Sequence, residues 1–256
     1  MNLDISDILG GWPFEPGQVI VRKIAGKDGR EKIQMRLDMG LLQMELTGRP
    51  DGQTPHGKES LLVHYQHLLQ RHRQDHGTDA GFELDEKACE TLRAEAVMYY
   101  HRYLAMFVLE DFESVERDTS RNLRVMDLCN TYGVEQSDRF VLEQHRPYVL
   151  MMRTRARAQA ALRDQRPKQA LSAVQAGIED IQAFSQRFGG DLGADPPELT
   201  ILNALAREIE TRIPADPRMQ LQSELDAAVA EERYEDAAHL RDMLHRSEPD
   251  PRDPIE

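Results

Sequence analysis

The sequence predicts a mainly α protein: an antiparallel array of helical hairpins of tetratricopeptide-like type, with a small N-terminal β-hairpin or meander and a two-helix hairpin at the C-terminal side. Three observations carry that expectation. Beyond Glu59, apolar residues recur at three- and four-residue steps, the helical period. Between Val19 and Leu46 they alternate with period two instead, as a half-buried strand requires. The segments LEDFESV, LRDQRPKQAL and AEERYEDAA each place a few polar residues ahead of an aromatic residue or proline, a form that folds one helix back on another. The resulting order is a strap and sheet over 1–57, a helical body over 58–212, a hairpin over 213–246 and a disordered tail over 247–256.

Composition bounds the function. The chain has 256 residues, 40% of them apolar, enough for a real core. No apolar run approaches 18 residues, and the start MNLDISDILGGW is acidic where a secretory signal would be basic, so a cytoplasmic protein without membrane contact is expected. Cys89 and Cys129 lie inside helical patterns, away from metal or redox spacing, and read as buried thiols. A net charge of −13 repels phosphate backbones at long range. Direct nucleic-acid binding would need a local basic patch and is not expected.

Along the chain, residues 1–17 read as a helical turn carrying Leu3, Ile8 and Leu9, stopped by Gly10 and Gly11, then a strap through Trp12 and Phe14 packed on the protein's own body. GKDGR separates two alternating runs, and the shift of apolar phase after Gly40 suggests a bulge or bend into a third strand. Such a small sheet cannot bury its face alone and must lean on helices. The loop 48–57 could present Arg49, Asp51 and His56 but reads as a surface connection. Helices follow over 59–75, 85–110, from LEDF to Tyr132, 147–164 and after Pro167; 189–197 reads as a linker into a helix near 197–212. Phe112 and Pro167 are 55 residues apart, more than the roughly 34 of a tetratricopeptide unit.

In the last hairpin, Leu221, Leu225, Ala228 and Val229 form one apolar edge and Tyr234, Ala237, Leu240 and Leu244 the other. Ala237 and Ala238 would allow close backbone approach, with Tyr234 capping the small core. Glu235 and Asp236 stand in the first turn and Arg241 toward the end, as the helix dipole favours, with Asp242 and Arg246 as an i,i+4 pair. A unit this small must dock on something larger.

The run LQSELDAAVAEERYEDAAHLRDML, above all Tyr234-Glu235-x-Ala237-Ala238-x-Leu240-Arg241-Asp242, resembles the UVR motif. That helical hairpin occurs in the UvrB helicase, the UvrC nuclease, activators of protein-arginine kinases and Clp-type chaperone ATPases. The arrangement as a whole also resembles bacterial proteins described by their UVR motif. The resemblance implies contact with a protein, either another UVR-containing protein or a second copy of this chain. It places the partner-binding residues at Leu221, Leu225, Tyr234, Glu235, Ala237, Ala238, Leu240, Arg241, Asp242 and Leu244. Tyrosine stands where the family usually has phenylalanine. No GxxxxGK[ST] loop, no nuclease motif and no zinc-binding cysteine pairs accompany the hairpin, so no catalytic residue, metal or cofactor is expected.

Two further patterns have plain explanations. His64, His67, His72 and His76, with His101, have helical spacing but no HExxH pattern and read as a solvated face. Arg153, Arg155, Arg157, Arg163, Arg166 and Lys168 face a single acid, Asp164, in their segment. They would either bind an anion or acidic partner or pair with neighbouring helices. The expected function is a non-enzymatic adaptor; the alternative is an accessory factor of nucleotide excision repair acting through the motif and this patch.

Overall fold

A computed structural model describes residues 4–192, 196–213 and 217–246. The expected tail over 247–256 and Leu3 lie outside these residues. The protein is mainly helical, with a three-stranded antiparallel sheet near the N-terminus and two helices at the C-terminal end. Contacts divide it into two compact bodies, Met1–Ile209 and Glu210–Glu256.

A short helix α1 (Ser6–Gly10) leads into Trp12, which is buried. The Arg22 guanidinium lies 4.0 Å from its ring centroid and Arg36 Nε donates to its carbonyl at 2.8 Å, so the strap packs on the protein's own body. Strands β1 (Val21–Ala25), β2 (Glu31–Leu37) and β3 (Gly40–Glu45) pair in sequence order. Arg22, Gln34 and Gln43 stand in register across all three and are linked by hydrogen bonds of 2.8 and 3.0 Å. Of the bulge or bend into a third strand expected at Gly40, the structure has the second: Gly40 opens β3 and pairs directly with Leu37, and Asp38 and Met39 form the turn. Met39 is accordingly 89% exposed, although it continues the alternation of β2.

The helices are α2 (Leu61–His76), α3 (Glu86–Val108), α4 (Phe112–Tyr132), α5 (Gln136–Phe140), α6 (Arg146–Arg163), α7 (Pro167–Leu192), α8 (Pro197–Arg212), α9 (Pro217–Ala230) and α10 (Tyr234–Arg246). Side chains of Ser60, Asp85 and Asp111 accept from the amides of Val63, Ala88 and Ser114, fixing three helix starts. Helix α7 runs on through Gly189 and Gly190, where the sequence suggests a linker. Glycine costs only about 1 kcal/mol in a helix interior, and no proline intervenes before Pro196.

One turn recurs three times. Glu110, Gln165 and Glu232 all adopt left-handed φ, of 58°, 58° and 59°. The next amide, of Asp111, Arg166 or Arg233, donates back to the carbonyl of Met106, Ala161 or Ala228 at 2.9, 2.8 and 2.8 Å. These are Schellman closures, and each is followed at once by the aromatic residue or proline that opens the next helix. The shared form seen in the sequence therefore has a shared geometry.

Within the larger body the helices run antiparallel. Arg102 with Asp118 and Glu95 with Arg121 join α3 to α4, while Arg163 with Glu113 and Arg146 with Asp127 join α6 to α4. Helices α6 and α7 come close at Gly177, where a Cβ would collide with the Thr154 side chain.

The sheet is held to the helices by arginines. Arg102 Nη1 donates to the carbonyls of Glu45 and Gly48 at 3.0 and 2.8 Å, and Arg117 Nη2 to that of Leu46 at 3.1 Å. The 48–57 loop thus begins on a buried charge.

Candidate functional site

The smaller body is built on α9 and α10. Ala228 on one helix and Ala237 on the other are buried; small side chains at a contact allow a short interaxial distance. Leu221, Leu225 and Leu240 are half-buried and Leu244 is buried, so these members of the two apolar edges face inward.

Three expectations change. Ala238 is exposed, because neighbours on a helix are separated by about 100° and only one of an adjacent pair can face inward. Tyr234 is 68% exposed rather than capping the core. It is the first residue of α10, and helical side chains lean toward the N-terminus, which carries its ring past the end of the helix.

Val229, expected on the apolar edge, is 51% exposed for the same reason as Ala238, its neighbour Ala228 taking the inward position, and Met243 is exposed as well. Around these apolar groups lies charge: Arg233 pairs with Glu231 and Asp236 at 2.9 and 2.8 Å, Arg241 reaches Asp242 at 3.8 Å, and Glu235 is exposed. The anticipated Asp242 and Arg246 pair involves a side chain outside those described.

An apolar inner edge, an exposed tyrosine and a charged surround on a tight helical hairpin are what a contact module needs. Residues 220–248 match the family model of the UvrB/uvrC motif. The hairpin matches the UVR motif. No curated protein and no solved structure matches the chain significantly.

Outside the UVR hairpin, the basic run on α6 meets acids of neighbouring helices. Arg153 pairs with Asp180 at 3.0 Å, Arg157 with Glu116 at 2.7 Å and Arg163 with Glu113 at 2.6 Å. Arg155 lies over the Phe107 ring at 4.6 Å, and Arg166 pairs with Asp164. Lys168 is exposed. Tyr99 and Tyr103 are core residues.

The histidines form no metal set: among the described residues no group of three or more His, Cys, Asp or Glu is placed to hold an ion. His64 stacks on His56 and His72 on His76 at 4.0 and 4.2 Å between centroids. Cys89 and Cys129 are buried, and burial pushes the Cys129 thiol up to about 12. No helix among the described residues is long and apolar enough to cross a membrane.

What sequence reasoning misses is a buried ionic cluster between α3 and α4. Glu95, Arg102, Asp118 and Arg121 are each at least 95% buried. Asp118 takes Arg102 Nε and Nη2 at 2.7 and 2.9 Å and Arg117 Nε at 3.0 Å. Glu95 receives the amides of Leu61 and Leu62, at 2.9 and 3.4 Å, together with Arg121 and, at 3.5 Å, Arg49. The Tyr99 ring lies between the two guanidiniums, 4.8 Å from that of Arg102 and 4.1 Å from that of Arg121. A signal exists in the sequence: Arg117, Arg121 and Arg124 follow i, i+4, i+7 spacing, one stripe of α4.

Proposed function

We propose that the protein is a non-enzymatic adaptor in which a helical, tetratricopeptide-like body carries a UVR hairpin to a protein partner. The observation that carries this reading is the family match on a hairpin whose Tyr234 and Val229 stand exposed. Tyrosine is among the residues that most often dominate binding energy at interfaces. The partner is either another UVR-containing protein or a second copy of this chain, since hairpins with exposed apolar residues can pair with each other.

A repair accessory role would use the same hairpin to reach a repair protein. Direct attachment to DNA through the α6 arginines draws little support, because Arg153, Arg157 and Arg163 are already paired and the chain carries −13.

Affinity capture from the native cell, run in parallel with equilibrium sedimentation, tests the proposal. Tyr234→Ala is expected to weaken the captured complex by roughly thirtyfold or more, the size of a hot-spot truncation. If the partner is a second copy, Leu240→Asp with Leu244→Asp abolishes a concentration-dependent dimer. Equal capture by wild type and Tyr234→Ala, with a dimer that survives both leucine changes, would count against it.

A further inference from the structure

The larger body has a cavity of about 220 Å³ between the start of the 48–57 loop, the start of α2 and the arginine stripe of α4. That is below the roughly 300–1,000 Å³ usual for drug-sized ligands. Its wall holds four guanidiniums, from Arg102, Arg117, Arg121 and Arg124, and two carboxylates, from Asp118 and Glu59. We propose that this cavity binds a small phosphate-class oxyanion, either free orthophosphate or the phosphoryl end of a phosphate monoester.

The count of donors and acceptors leads there. Asp118 accepts three hydrogen bonds from Arg102 and Arg117, and Glu95 three from two backbone amides and Arg121, with Arg49 at ion-pair distance. Arg102 has four of its five N–H groups committed, two to Asp118 and two to backbone carbonyls. Arg121 differs. Two of its nitrogens reach Glu95 and Asn122, while its Nε is buried without an acceptor, a vacancy that native interiors rarely leave.

Arg124, exposed one turn farther along α4, has no carboxylate partner among the described residues. Burial first, then the like charges of Arg124 and Arg49, pull the Arg121 guanidinium below its ordinary value. An anion in the cavity would relieve that repulsion.

Geometry favours phosphate over a larger ligand. The amides at the start of α2 are already taken by Glu95 and Ser60, so the anion rests on guanidinium forks, which match phosphate oxygens bidentately. Stacking on Tyr99 fixes the Arg121 guanidinium in advance. The volume admits a phosphate group or a small phosphate monoester, not a drug-sized ligand.

Calorimetric titration of the full chain with sodium phosphate and, separately, glycerol 3-phosphate, at constant ionic strength against sodium chloride, tests this. Saturable binding of one anion per chain is expected, weakened roughly tenfold or more by Arg124→Gln through loss of one charge-assisted contact and unchanged by Arg157→Gln on α6. Arg124 is exposed and unpaired, so its variant keeps the fold, and circular dichroism checks that. Binding of orthophosphate alone identifies the free ion as the ligand; tighter binding of glycerol 3-phosphate identifies a monoester. No saturable heat with either anion, or equal binding by Arg124→Gln and wild type, overturns the proposal.

Discussion

Arg102 and Asp118 form a bidentate pair, 2.7 and 2.9 Å, at which both side chains are only 1% exposed. The same arginine bonds the carbonyls of Glu45 and Gly48, so one buried ion pair ties α3, α4 and the sheet's exit together. Removing one partner leaves the other charge buried and uncompensated, which typically costs about 3–5 kcal/mol. Asp118→Ala is therefore expected to lower the unfolding free energy, read from urea denaturation, by that amount. Asp118→Leu combined with Arg102→Met should cost less than Asp118→Ala alone, despite altering two residues.

Gly177 lies in the interior of α7, where alanine would ordinarily favour the helix by about 1 kcal/mol. Here an added Cβ meets Thr154 on α6. Gly177→Ala should destabilise the protein by about 1–3 kcal/mol, and Thr154→Ala in the same chain should recover part of the loss. Thermal unfolding of the wild type, the single variant and the double variant measures it.

At Gln165 the sign reverses. Its φ of 58° strains any residue with a Cβ, whereas glycine is the usual occupant of this position. Gln165→Gly is expected to raise stability by up to about 1 kcal/mol, the relief of the left-handed strain less the added freedom of the unfolded chain. Denaturant unfolding would show an increase at Gln165 and a decrease at Gly177 for changes of opposite chemistry.

Burial raises the thiols of Cys89 and Cys129, the latter to about 12, and the phenols of Tyr99, also to about 12, and of Tyr103. Each group then holds its proton to higher pH folded than unfolded. The folded state binds more protons above the ordinary thiol value of 9.0, and stability falls as pH rises through it, by about 1.4 kcal/mol per pH unit for each fully shifted group. Unfolding midpoints flat from pH 7 to 8 and declining above 9 are expected. Thiol reagents should label the native protein slowly and the unfolded protein at once.

These effects differ in how readable they are. The strands, the long helices and the three turns follow from local periodicity, because each is set by residues within a few positions. Helix α5 spans only Gln136–Phe140, too short for an apolar period to register. Tyr234 reads as a core aromatic by spacing yet is exposed, since spacing gives a face and not the end effect at a helix start. The buried ionic cluster is the deepest omission: Glu95, Arg102, Asp118 and Arg121 look like the solvated side of two helices until α3 and α4 close over them. Only the Arg117, Arg121 and Arg124 stripe hints at it.

The central claim is that the hairpin is the contact module of this protein. Affinity capture with the full chain beside a chain ending at Ile213 tests it most directly, with circular dichroism confirming that the shortened chain stays folded. The account predicts that the full chain recovers a specific protein, whether a UVR-containing partner or its own copy, and that the shortened chain recovers none of it. Undiminished recovery by the folded, shortened chain would contradict the account.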